Sequence, residues 1–149
     1  MRYDDSAISL STLYGIRGLI DNLTSRRVWL DCGGNIIIEQ LETLTFIDVN
    51  SAKNISSGSN SILKTNMEAA KEIARQLRLR NISGMIIIDF INMKSEASKD
   101  TLIEALKRYI KDDNTVCTFV DITKLGLVEL TRKKVHKSLK QILEKTPDE

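Results

Sequence analysis

The stretch "LTFIDVNSAK", Leu44 to Lys53, sets a carboxylate and a carboxamide two residues apart within an apolar run. Side chains on a strand alternate between faces, so Asp48 and Asn50 share one face while Ile47 and Val49 share the other. A second run, "MIIIDFINM" from Met85 to Met93, places Asp89 in a segment that otherwise reads as fully buried. No basic residue near either aspartate in sequence offers to neutralise it. An isolated carboxylate in apolar surroundings costs several kcal/mol to desolvate. Each should therefore stand at a strand end, open to water or a cation. Side by side, two such ends form a hard-oxygen site suited to Mg²⁺, which takes one or two carboxylates, keeps several waters and shares its remaining shell with phosphate oxygens. Asn50, neutral and able to donate, can meet a phosphate without repelling it. Two structural readings stand beside this one: Asp and Asn as turn formers at strand ends, and Asp89 as a hydrogen-bonded core acid.

The elements that must position these residues follow from periodicity. Leu13, Ile16, Leu19, Ile20 and Leu23 recur at helical spacing, with a helix end at Asn22 to Ser25. "RRVWL" and "NIIIEQ" flank Asp31-Cys32-Gly33-Gly34, a hairpin whose glycines can both take positive φ. "TLTFIDVN" is a third strand, and residues 51–61 have the composition of a loop. Thr65-x-x-Glu68 matches a capping box, so a helix should begin there, with Met67, Ala70, Ile73, Ala74 and Leu77 as its apolar stripe. Lys71, Arg75 and Arg78 share another face of it. Asn81 and Gly84 mark a turn before the Asp89 strand. A helix from about Ser98 to Lys111, strands at 115–122 and 127–131, and a helix from Val135 to Leu143 complete the chain. Hairpin-linked strands come first and helix–strand alternation second, so the expected class is α+β, a mixed β-sheet with flanking helices.

The 149 residues, 42% apolar and 28% charged, suit one core. No apolar run nears the roughly 20 residues of a membrane-spanning helix, and the N-terminus lacks the pattern of a signal peptide. Cys32 and Cys117 form no C-x-x-C pair and read as free thiols, which fits a reducing cytoplasm. Net charge is only +2, yet Lys124, Arg132, Lys133, Lys134, Lys137 and Lys140 gather near the C-terminus, where they could meet a polyanion or simply face solvent. His136 reads as a surface residue. Trp29 and Tyr109 read as core or rim residues rather than stacking platforms.

The stretches "RRVWLDCGGNIIIEQLETLTFIDVNSAK", "TNMEAAKEIARQLRLRNISGMIIIDFINM" and "LGLVELTRKK" resemble the catalytic core of the ribonuclease E/G family, over about Tyr14 to Ser138. The resemblance implies a deoxyribonuclease I-like subdomain over residues 26–149, preceded in 1–25 by the last helix of an RNase H-like subdomain. The family's D-[IV]-N motif falls on Asp48 and Asn50, and the acid of its I-[IV]-I-D-F strand on Asp89. By that resemblance Asp48, Asn50 and Asp89 are catalytic, with Asp48 and Asp89 holding Mg²⁺, for which Mn²⁺ can substitute. The implied activity is endonucleolytic hydrolysis of single-stranded RNA to 5′-phosphate and 3′-hydroxyl ends, in RNA processing and decay, rRNA processing included. Lys71, Arg75, Arg78, Arg132, Lys133 and Lys134 become candidate RNA contacts. Asn92 stands where many members carry a second acid. The family's S1 and 5′-sensor domains and its zinc-linking C-P-x-C motif are not found in these residues. The expectation is therefore weak activity alone, a structural zinc not supported by these residues, and help from a second copy or from family domains on another chain. The alternative is a non-catalytic RNA-binding or assembly module.

Overall fold

The computed structural model describes residues 15–52 and 58–145. Helical residues 15–24 (α1) lead to the strands β1 (Arg27–Trp29), β2 (Asn35–Gln40) and β3 (Thr45–Asn50). Then come α2 (Ser59–Leu79), β4 (Gly84–Asp89), α3 (Glu96–Lys111), β5 (Cys117–Ile122), β6 (Val128–Arg132) and α4 (Leu139–Glu144). The strands form one six-stranded sheet in the order β1-β2-β3-β4-β6-β5. Only β3 and β4 run parallel, and every other neighbouring pair is antiparallel. The lone parallel step follows from α2, the crossover between β3 and β4, because a parallel return needs a connection of a dozen residues or more. The architecture is the expected α+β arrangement with a mixed sheet.

Period-two alternation gives the sheet one closed and one open face. Ile36, Ile38, Ile47, Val49, Ile86, Ile88, Val128 and Leu130 point inward and are buried. Ala69, Ala70, Ile73, Ala74 and Leu77 of α2 and Leu102, Leu106 and Ile110 of α3 join them in the core. Burying a chain of Leu or Ile side chains at about 1.5–3 kcal/mol each fixes the strand register, since a one-residue slip would turn the whole set outward. The alternate residues Ile37, Phe46, Asp48, Asn50, Ile87 and Asp89 are half-buried on the open face.

Three local expectations are corrected. The last helix, α4, begins at Leu139, capped by Ser138, rather than at Val135. The helix α2 starts at Ser59 rather than at the Thr65 capping box. Thr65 is buried one and a half turns inside, its hydroxyl donating to the Ser61 carbonyl at 3.0 Å. Glu68 accepts from the Cys32 backbone N–H at 3.2 Å instead of reaching back to a helix start. In the hairpin only Gly33 has positive φ, at 92°. Gly34 is required for a different reason: a Cβ there would lie 2.7 Å from the Asn50 carbonyl oxygen, so its absence lets the hairpin press onto the end of β3. Leu13 of the first helical stripe and residues 53–57 of the expected loop lie outside the described residues. Among the described residues no helix is long and apolar enough to cross a membrane.

Candidate active site

The parallel register pairs Asp48 of β3 directly with Asp89 of β4. Directly opposed residues project from the same face, with strands about 4.8 Å apart. Two carboxylates more than 40 positions apart in sequence thus converge at the open ends of adjacent strands, where neither has to be buried within the core. Burial, and then the charge of Asp89, push the Asp48 carboxyl above its ordinary value of 3.8, against hydrogen bonds from the Asn50 side chain and the Val49 backbone. Among the described residues no basic side chain is ion-paired with either acid.

Two asparagines that sequence reasoning missed brace the pair. Asn35 lies opposite Asn50 across β2 and β3, and its Oδ1 accepts from Asn50 Nδ2 at 3.3 Å. Asn50 is thereby tied to Asn35 on one side and to Asp48 on the other. Asn66, fully buried on α2, binds both backbone groups of Ile91, two residues beyond Asp89. Its Nδ2 donates to the Ile91 carbonyl at 2.8 Å and its Oδ1 accepts from the Ile91 N–H at 3.0 Å. This clamp fixes the path of the chain as it leaves β4. The signal was present in the sequence, as a polar residue on the same helical stripe as Ala70, Ile73 and Leu77.

The basic candidates separate. Lys71, Arg75 and Arg78 are exposed on α2, which covers the closed face, so they lie across the sheet from the carboxylates. They line a groove of about 1230 Å³ that also borders Trp29, Lys64 and Glu72. Arg75 pairs there with Glu72 at 2.9 Å. Lys133 and Lys134 are exposed beyond β6. Arg132 does not belong with them, contrary to expectation, because its side chain is 3% exposed. Its Nε and Nη2 donate to the two carboxylate oxygens of Asp113 at 2.8 and 3.2 Å, and Nη1 donates to Asn81 Oδ1 and the Ile82 carbonyl. A guanidinium so engaged has no free edge for a phosphate. The C-terminal run of cations hid this, because strand alternation turns Arg132 inward. His136 and Asn92 are exposed. Tyr109 packs against the core, whereas Trp29 is 66% exposed. Cys32 and Cys117 are free, and burial, with Asp113 adding to it, pushes the Cys117 thiol up to about 11.

The donor set suits a hard cation. Among the described residues no three His, Cys, Asp or Glu side chains cluster as a metal site. A closed zinc centre needs four protein ligands, and a catalytic one three. Magnesium needs only one or two carboxylates with water and phosphate, which Asp48 and Asp89 can provide. Nearby acids that repel one another at an open strand end gain from a divalent ion between them.

Residues 1–135 match the model of the Ribonuclease E/G family. A chloroplastic ribonuclease E/G-like protein of Arabidopsis thaliana is 40% identical over 91% of this chain and 14% of its own length. The ribonuclease E of Synechocystis is 44% identical over 91% of this chain and 20% of its own length. The ribonuclease G of Haemophilus influenzae is 38% identical over 88% of this chain and 27% of its own length. The chain thus spans about a quarter or less of the relatives it matches. With the match covering most of the sequence, the chain belongs to the Ribonuclease E/G family.

Proposed function

We propose that this chain is the catalytic core of a magnesium-dependent endoribonuclease that hydrolyses phosphodiester bonds in single-stranded RNA, leaving 5′-phosphate and 3′-hydroxyl ends. The observation that carries this reading is the in-register pairing of Asp48 with Asp89 on the open face. The names of the family and of its relatives, all ribonucleases, support it.

Asp48 and Asp89 would hold the ion, each through a carboxylate that no basic side chain among the described residues neutralises. When bound, magnesium supplies Lewis acidity at the phosphoryl oxygen and lowers the pKa of water, so no histidine base is required. Asn50 holds the Asp48 carboxylate by hydrogen bonding and is itself anchored by Asn35. Its neutral amide stands at the strand end, where it can orient the scissile phosphate without repelling it. Asn66 fixes the exit of β4 and so the setting of Asp89. Lys71, Arg75, Arg78, Lys133 and Lys134 contact the RNA backbone away from the cleavage point, contributing affinity without sequence preference.

The test is cleavage of a fluorescent AU-rich single-stranded RNA at high protein concentration, with Mg²⁺ and with chelator, by this chain and by Asp48→Asn. Slow cutting that needs the metal and is abolished by the substitution is expected. Equal cutting by both proteins overturns the reading. RNA that is bound but never cut identifies the chain as a non-catalytic RNA-binding module instead.

A further inference from the structure

The open face extends beyond the carboxylates to the edge of the sheet. Arg27 lies opposite Ile37, Ile37 opposite Asp48 and Asp48 opposite Asp89, in one row across four strands. In the adjacent row Trp29 lies opposite Asn35, and Asn35 opposite Asn50. Opposed residues share a face, so Arg27 and Trp29 leave the backbone on the same side as Asp48, Asn50 and Asp89, and, because β1 is the edge strand, they also border the groove beside α2. At two strand spacings, Arg27 is about 10 Å from Asp48, and Trp29 equally far from Asn50, measured along the sheet. Val28, between them, turns the other way and packs against the core.

Trp29 is the chain's only tryptophan and is 66% exposed. The Arg27 guanidinium carbon stands over its ring, 5.5 Å from the centroid. A cation beside an aromatic face matches the alternation of phosphate and base in a single strand. A folded protein partner would gain little from the row that follows, because Asn35 and Asn50 are already bonded to each other and present polar groups.

We propose that Trp29 and Arg27 form a nucleotide subsite for single-stranded RNA on the open face, in which a base stacks on the indole and the adjoining phosphate meets the guanidinium. The strand then runs inward across β2, past Asn35 and Asn50, to the carboxylate pair. This rests on the nuclease reading above. Because every base offers a π-face, the subsite tolerates any sequence and sets instead how the strand is aligned with the cleavage point.

A single tryptophan makes the subsite directly observable. The Asp48→Asn chain, which leaves RNA intact, is titrated with a 5′-labelled single-stranded RNA while tryptophan emission and label anisotropy are followed together. Emission should be quenched in step with binding. Trp29→Ala should weaken binding about tenfold or more, and Trp29→Phe should recover most of the loss. An abasic strand with the same phosphates should bind without full quenching. Binding with unchanged emission, or equal affinity of Trp29→Ala, overturns the subsite, as does failure to bind RNA at all. Emission that shifts with protein concentration alone overturns it too, by showing that a second copy covers the face. The two readings fail separately. Metal-dependent cleavage with unmoved emission removes only the subsite, whereas saturable quenching without cleavage removes only the nuclease assignment.

Discussion

The two ends of β4 treat charge in opposite ways. At its start Gly84 lies opposite Arg132, whose guanidinium forms a two-pronged contact with Asp113, the side chains being 3% and 5% exposed. At its end Asp89 lies opposite Asp48, a like charge, and no cation among the described residues pairs with either. At Asp113 burial would raise the carboxyl, but hydrogen bonds from Arg132 and the Thr115 backbone overcome it and hold the group below 3.8. At Asp48 burial and Asp89 act together, and the carboxyl rises. The first end is built to be stable as it stands, while the second sets two like charges side by side. Perturbed carboxylates at a strand end are where chemistry is expected, and matched pairs inside are where structure is held.

Substitution should separate the two ends. The largest effect on activity is expected from Asp48→Asn or Asp89→Asn, each lowering cleavage by about 10²–10³-fold, the scale on which loss of a transition-state charge contact is felt. Neither should destabilise the fold. A carboxyl raised above 3.8 in the folded state costs nothing below that pH, and the cost appears as pH rises through the folded value. Asp48→Asn removes that cost at neutral pH, so its thermal midpoint should equal the parent's or exceed it by about 1–3 °C. A clear fall in midpoint would show that the pair is structural.

Arg132→Ala should do the reverse. It leaves the Asp113 carboxylate buried without its partner, at a cost of about 3–5 kcal/mol in urea unfolding, while cleavage per folded molecule is kept. Because Asp113 is held below 3.8, its contribution is intact above that pH and is lost as pH falls through the lower folded value. The parent should therefore lose stability on acidification more steeply than Arg132→Ala. Asn66→Ala should fall between the two regions. It strands the Ile91 N–H at about 1–3 kcal/mol and slows cleavage severalfold by loosening the exit of β4. The smallest effect is expected at Lys133→Ala, with stability unchanged within about 0.5 kcal/mol. The slope of log affinity for RNA against log salt should shrink by about 0.7, a change that Arg132→Ala should not produce.

Alternation in "NIIIEQ", "TFIDVN" and "MIIIDF" was strong enough to reveal the strands and the face of each residue, because the inward set of Ile and Val is continuous. The approach of Asp48 to Asp89 was legible only as a consequence of chemistry: two unneutralised acids in apolar strands need a common exit. The parallel step came from α2 and the register from burial of the inward set, and no local signal states which residues of two distant strands align. The false helix start at Thr65 arose because Thr-x-x-Glu occurs within helices as well as at their ends. Here Thr65 satisfies its hydroxyl on the preceding turn, and the helix already runs from Ser59. Arg132 was misjudged because a basic run reads as surface until strand pairing turns alternate members inward. Trp29 was read as core or rim, and its exposure depends on β1 being an edge strand, which follows from sheet order and not from its neighbours in sequence.

A titration with Mn²⁺, followed by paramagnetic broadening of backbone amide signals, would probe the carboxylate pair most directly. Signals from the ends of β3 and β4, around Asp48 and Asp89, should broaden first and together, and Asp48→Asn should abolish the effect. Broadening centred elsewhere, or undiminished in the variant, would contradict a shared divalent-cation site.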